Sequence, residues 1–168
     1  MSFARIDVDQ LVGRPGATRE AEVRGPVEGL GTELAEPRGP VTVTLRLEWV
    51  GEGVLVTGRV AGELSMRCAR CLTAFERPFR TEVGDLFAVG PTDDPDAYSL
   101  DAEGRVDPDQ MVRDAIGVEL PFAPLCRPGC LGLCEICGAD RNVGGCPGHE
   151  STDPRWDGLD AVLAMLED

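Results

Sequence analysis

Seven cysteines and a single histidine carry the clearest chemistry in this sequence of 168 residues. Cys68 and Cys71 form one Cys-x2-Cys pair. Cys126, Cys130, Cys134, Cys137 and Cys146 follow in one later stretch, and His149 stands three residues after Cys146. Seven thiols and one imidazole make eight donors, the number that two tetrahedral zinc sites need. Two sulfurs on a Cys-x2-Cys turn converge on one ion, and the turn's amides are free to bond the thiolates. Gly138, directly after Cys137, tolerates the left-handed backbone that such turns often use. A closed four-ligand zinc site is structural, and its binding energy becomes folding energy.

Several divisions of the eight ligands are open. The preferred one is sequential. Cys68, Cys71, Cys126 and Cys130 would staple the sheet to the segment after a helix, and Cys134, Cys137, Cys146 and His149 would form a compact local site. A rival joins the two Cys-x2-Cys turns and leaves Cys126, Cys130, Cys146 and His149 for the other ion. A third has one real site and spare thiols. His149, in a Gly-Pro loop, is a ligand or merely exposed. A thioredoxin-like redox pair would want a low-pKa cysteine at a helix N-terminus in a βαβ unit. Cys68 instead ends a strand, and Cys134 sits in a Gly-rich loop.

Composition narrows the function further. The 16 basic residues are all Arg, against 30 acidic ones, for a net charge of −14. Without Lys there is no Walker A loop, no kinase nucleotide Lys and no pyridoxal Schiff base. One histidine and no paired acids in a recognisable motif leave little for acid–base catalysis, so a non-enzyme is expected. The enzyme alternative is a thiol-redox site or a catalytic zinc held by Cys134, Cys137 and Cys146 with water in the fourth position. No segment approaches the roughly 18 apolar residues of a membrane span, and the first residues carry no apolar signal run. A cytoplasmic protein with no membrane contact and no small-molecule substrate is expected, and clustered thiols in a reducing compartment read as metal ligands.

The elements that must position these ligands read as α+β: an antiparallel β-meander sheet with one or two helices and a C-terminal zinc-knuckle segment, in a single domain over residues 1–168. Residues 1–40 are weakly patterned. The stretch from Gly13 to Pro40 reads as mostly loop, with room for a short edge strand. Over 41–89 the meander is legible. Val41, Val43, Leu45, Leu47 and Trp49 alternate with polar residues, Val54 to Val60 makes a second strand, Leu64, Met66 and Cys68 line a third, and Phe75 to Val89 forms a fourth. Residues 90–106 form an acidic loop. Over 107–150 come a helix and the Cys-rich segment. Asp107 is placed as N-cap, Pro108 as first helical residue and Gln110 as the closing member of a capping box. Pro121 ends this helix and biases Val118 and Leu120 toward extended backbone. Over 151–168, Asp153 and Pro154 start a second helix with Trp156, Leu159, Leu163 and Leu166 on one face. That face packs on the domain's own core or docks on a partner.

Several of these segments resemble a known family. Met66-Arg67-Cys68-Ala69-Arg70-Cys71-Leu72 is similar to the first signature of the YceD family, the large ribosomal RNA subunit accumulation proteins. Leu120-Pro121-Phe122-Ala123-Pro124-Leu125-Cys126 and Cys130-Leu131-Gly132-Leu133-Cys134-Glu135-Ile136-Cys137-Gly138 resemble its second. Arg141-Asn142-Val143 and Cys146 stand where the family has an Asn-Leu-Asn-like segment and another Cys. Asp153-Pro154-Arg155-Trp156 matches its C-terminal helix start. The resemblance spans roughly residues 40–168. It implies a non-catalytic factor in ribosome biogenesis that supports accumulation of large-subunit ribosomal RNA, with ribosomal RNA or a large-subunit ribosomal protein as partner. In one departure, the family often has a Cys two residues after the counterpart of Cys146, where this chain has Gly148. Either His149 substitutes or the second site is incomplete.

RNA contact must overcome the acidic net charge. From Leu64 to Arg80 the chain holds Arg67, Arg70, Arg77 and Arg80 with one acid, Glu76. Phe75 and Phe79 lie among them, and this combination could grip phosphates and stack bases. The plainer reading is a solvated strand face paired with carboxylates. The acidic run at Asp93, Asp94 and Asp96 is either a shield for a basic ribosomal protein or a solubilising loop.

Overall fold

The computed structural model describes residues 3–90 and 97–149. The acidic run at 93–96 and the helix expected from Asp153 lie outside the described residues. Among the described residues, seven strands and one helix are ordered β1 (Ile6–Asp7), β2 (Thr18–Pro26), β3 (Ala35–Trp49), β4 (Gly53–Arg67), β5 (Ala74–Ala88), β6 (Tyr98–Ser99), β7 (Arg105–Val106) and α1 (Asp109–Glu119). The main sheet runs β2-β3-β4-β5-β6, antiparallel except for the parallel β5–β6 edge, and β1 pairs with β7 in a separate two-stranded ribbon. This is the α+β meander expected, with one helix among the described residues.

Period-two patterning explains the central strands β3 and β4. Val41, Val43, Leu45, Leu47 and Trp49 of β3 are buried, as are Val54, Val56, Val60, Leu64 and Met66 of β4. Helix α1 closes this face with Met111, Val112 and Ile116, and Phe3, Ile6, Val8 and Leu11 fill the remaining edge. No helix among the described residues is long and apolar enough to cross a membrane.

Several local expectations are corrected, among them the loop expected over 90–106, where β6 and β7 lie. Val54–Val60 and Leu64–Cys68 are not separate strands. Even-numbered residues point inward from Val54 to Met66, so the parity never breaks and β4 is one strand of 15 residues. Gly58 and Gly62 resemble turn residues but are required by packing. A Cβ at Gly58 would lie 2.1 Å from the Thr44 carbonyl oxygen, and one at Gly62 would lie 2.9 Å from the Phe79 ring. Residues 13–40 are not mostly loop, because β2 occupies Thr18–Pro26 and β3 already starts at Ala35. Being an edge strand, β2 turns only Ala21, Val23 and Gly25 toward its neighbours, too little apolar surface for a clear pattern. Helix α1 starts at Asp109 with Pro108 as its N-cap, one residue later than expected. Asp107 Oδ1 accepts the Asp109 N–H at 3.1 Å, but the Gln110 side chain donates to Asp114 at 2.8 Å and no capping box forms. Val118 stays helical, and only Leu120 is extended.

Candidate metal centres

The end of β4 delivers the first pair of thiols. Cys68 follows the last residue of the strand, and its turn is closed by Leu72 N–H donating to the Cys68 carbonyl at 2.9 Å and Cys68 N–H donating to the Thr73 carbonyl at 3.0 Å. After α1 the chain returns alongside this turn, where the Ala69 N–H donates to the Pro124 carbonyl at 2.7 Å. Cys126 and Cys130 are thereby set against Cys68 and Cys71. The Sγ atoms of Cys68 and Cys130 are 3.7 Å apart, as are those of Cys71 and Cys126, and all four lie within 4.8 Å of one another. A tetrahedron with Zn–S bonds of about 2.3 Å has edges of about 3.8 Å. A disulfide would need about 2.05 Å. Cys68, Cys71 and Cys130 are buried.

The second pair sits on a turn of the same design. The Gly138 N–H donates to the Cys134 carbonyl at 2.8 Å, and the Cys134 N–H to the Ala139 carbonyl at 2.8 Å. Gly138 takes φ +70°, while its counterpart Leu72 takes φ +60°, the one non-glycine with positive φ among the described residues. Cys134, Cys137, Cys146 and His149 place their donor atoms within 4.8 Å of one another, with the Cys137 and Cys146 sulfurs 3.9 Å apart. Cys137 is exposed and Cys134 and Cys146 are half-buried. This group opens on a cleft of about 500 Å³ lined by Leu131, Glu135, Ile136, Arg141 and His149. The ligand atoms thus gather in the sequential division, with His149 in the second group.

Backbone amides prepare both groups for anionic sulfur. The Cys126 N–H is the strongest influence on Cys68, followed among the lowering ones by those of Cys71 and Arg70, and together they bring its thiol down to about 6 against the cost of burial. The Cys137 and Ile136 amides do the same for Cys134, down to about 7. In each turn the donors are the second and third residues after the first cysteine. Thr73 holds Cys71 below the usual thiol range through its hydroxyl, 3.3 Å from the sulfur. Burial, then the neighbouring Cys71, Cys68 and Cys130 sulfurs, pushes Cys126 up to about 12. Cys146 is raised, the Gly148 amide being outweighed by the Cys134 sulfur, burial and Cys137. Without an ion, several thiolates cannot share so small a volume. A divalent cation removes that conflict, so the donor set, spacing and electrostatics fit zinc or a similar metal.

The six residues considered for RNA contact do not share one face, although Arg77 and Phe75 meet. In the β4–β5 register, Arg67 opposes Ala74 and Arg80 opposes Ala61, on the outer face of the sheet. Arg77 opposes the buried Leu64 and therefore points to the other face, where its guanidinium lies 5.7 Å from the Phe75 ring centre and donates to the Leu125 carbonyl at 3.4 Å. Arg70 donates to the Cys130 carbonyl at 2.9 Å. Phe79 is a core residue, 8% exposed, and Phe75 is half-buried between the core and the first cysteine group. Phe79 is therefore not available to stack on a base. The neighbouring Glu76 pairs with Arg38, and Glu82 with Arg59.

The structure gives a role beside the cysteines to Asn142, Thr73 and Arg70, of which Arg70 was expected as an RNA contact and Asn142 as part of the Asn-Leu-Asn-like segment. Asn142 donates to Cys130 Sγ at 3.5 Å and accepts from the Leu131 N–H at 2.8 Å and from Arg127 at 2.7 Å. Thr73 and Arg70 act on the first group as described. For Asn142 the available signal was its place in the Asn-Leu-Asn-like segment, and for Thr73 its nearness in sequence to Cys71.

These features define a class: a β-meander protein whose chemistry-bearing side chains are gathered in two four-donor groups able to hold metal ions. The family described as "Large ribosomal RNA subunit accumulation protein YceD" matches residues 56–163. The chain belongs to the YceD family. Uncharacterized proteins of Mycobacterium tuberculosis and Mycobacterium bovis are each 40% identical to it over 97% of this chain and 83% of theirs. One of Mycobacterium leprae is 37% identical over 95% of this chain and 77% of its own. No solved structure matches the chain.

Proposed function

We propose that this protein is a non-catalytic cytoplasmic factor supporting accumulation of large-subunit ribosomal RNA, with one zinc ion in each cysteine group serving as a structural clamp. Family membership supports the biological role. The observation that carries the clamp is the four-sulfur group at tetrahedral spacing, which joins the end of the sheet to the segment after α1. Four protein donors leave no open coordination position for substrate, which argues for structure over catalysis.

A basic ribosomal protein suits a chain of net charge −14 better than bare RNA does. Of the four arginines considered, only Arg67 and Arg80 share the outer face, and the carboxylates of Glu76 and Glu82 lie on the strand beside them. Direct RNA contact, as the second reading, rests on these two residues.

The role is tested by depleting the protein and measuring the ratio of large- to small-subunit ribosomal RNA. A fall is expected, restored by the wild-type chain and not by Cys68→Ser/Cys71→Ser. An unchanged ratio rejects it. For the partner, the tagged protein should retain large-subunit ribosomal proteins after nuclease treatment. Recovery that disappears with nuclease favours RNA.

A further inference from the structure

One side chain from the loop of the exposed group reaches the buried group. Asn142 lies on the loop between Cys137 and Cys146, whose sulfurs are 3.9 Å apart in the exposed group. Its amide reaches the buried group, donating to Cys130 Sγ at 3.5 Å. Its Oδ1 accepts from the Leu131 N–H at 2.8 Å and from Arg127 at 2.7 Å, so the peptide after Cys130 and the turn before it are held by the same group. The amide orientation follows from its neighbours. Two donors face the oxygen, while a sulfur and the Asp140 carboxylate, 2.6 Å away, face the nitrogen. Asp140 Oδ1 also accepts the Asn142 backbone N–H at 2.8 Å. The loop is registered against the Cys130 segment by Arg141 N–H donating to the Gly132 carbonyl at 3.0 Å.

Resting on the metal reading above, we propose that Asn142 couples the two groups: an ion in the exposed group fixes the 138–146 loop, and the fixed loop presents the Asn142 amide to Cys130. An N–H aimed at a metal-bound thiolate spreads its charge and orients it, as outer-shell partners do around other metal ligands. When the exposed group is empty, the loop loses its closure between Cys137 and Cys146, and Asn142 loses its fixed position. The buried ion is then held less tightly. Reciprocity requires the buried ion to tighten the exposed one by the same factor. Asn142 is a positioning residue in this scheme and touches neither ion.

The test uses the full chain loaded with cobalt(II), whose absorption separates a four-sulfur from a three-sulfur, one-nitrogen site, so each occupancy is read independently under competition with a chelator. Cys137→Ser, which disables the exposed group alone, should weaken cobalt binding at the buried group by roughly five- to tenfold. Asn142→Ala should weaken it similarly, and the double variant no more than either single one. The Leu131 N–H should exchange faster with solvent in Cys137→Ser, which provides a second readout if Asn142→Ala does not fold. Unchanged buried-site affinity and Leu131 exchange in Cys137→Ser, or effects that multiply in the double variant, overturn the coupling while two bound ions keep the metal reading intact. A wild-type chain that binds fewer than two ions removes both.

Discussion

The two cysteine groups use one turn design in opposite surroundings, and the contrast separates what a metal site does for a fold from what it does for a surface. The first group joins residues far apart in sequence. Cys68 and Cys130 are separated by 62 positions, and Cys71 and Cys126 by 55. The second is local, with Cys137 and Cys146 separated by 9. A cross-link that closes a long loop removes more freedom from the unfolded chain than one that closes a short loop. The first group also packs against Phe75, Leu125 and Leu133, and so joins the sheet to the helix exit through apolar contact as well as ligation. The second has an exposed cysteine and an open cleft. The first is built to hold the fold, and the second shapes one local surface.

The largest test of that contrast removes one ligand from each group. Cys68→Ser is expected to cost on the order of 4–5 kcal/mol of folding stability, the range in which loss of a structural metal falls. Cys137→Ser is expected to cost about 1 kcal/mol, because only a short loop is released. Urea unfolding of the metal-loaded proteins measures both, and equal costs would erase the distinction. Thiol accessibility should follow the same order. Under an alkylating reagent, with a chelator added stepwise, Cys137 and Cys146 should be modified with release of the first metal equivalent, ahead of Cys68 and Cys130. Peptide mass analysis reads the order, and simultaneous modification would mean that one cooperative unit opens.

A smaller effect concerns protons. In the metal-free protein Cys68 titrates near 6 and Cys134 near 7, both below the ordinary thiol value. The folded state therefore binds fewer protons than the unfolded one between those values and about 9. Each group's contribution to stability rises with pH across that window and is lost as pH falls through 6 or 7. Thiolate absorbance should show a first step below the ordinary thiol value in each group. A first step above pH 8 in both groups would remove the role assigned to the turn amides.

The finest comparison swaps the residues that follow the two turns. Leu72 adopts φ +60° where Gly138 adopts φ +70°. Left-handed backbone costs a side chain about 1–2 kcal/mol. Leu72→Gly should recover part of that, less the flexibility that glycine adds to the unfolded chain, and Gly138→Ala should lose about 1 kcal/mol. Thermal unfolding with metal bound measures both. Destabilisation by Leu72→Gly would mean that the leucine side chain contributes packing despite being mostly exposed.

Legibility in the sequence followed the range of the interaction that produces each feature. The β3 strand could be read because Val41 through Trp49 alternate without a gap. Strand β4 reads as two in the sequence because Gly62, between Val60 and Leu64, carries no apolar signal, although the neighbouring Phe79 ring requires it. Strand β2 shows in the sequence only as room for a short edge strand in a mostly loop stretch, because an edge strand with one buried neighbour needs little hydrophobic alternation. The RNA-contact set failed as a single patch for a related reason. Arg67 and Arg77 lie close in sequence, but the β4–β5 register puts them on opposite faces.

The sequence alone determined the donor inventory, the two Cys-x2-Cys turns and the period-two core, since each arises from covalent spacing or local backbone preference. Only the tertiary structure decided which pairs of sulfurs meet, which group is buried and that the Asn142 amide meets Cys130. Those outcomes depend on how the segment after α1 packs back against the end of β4, and long-range packing leaves no mark in residue spacing.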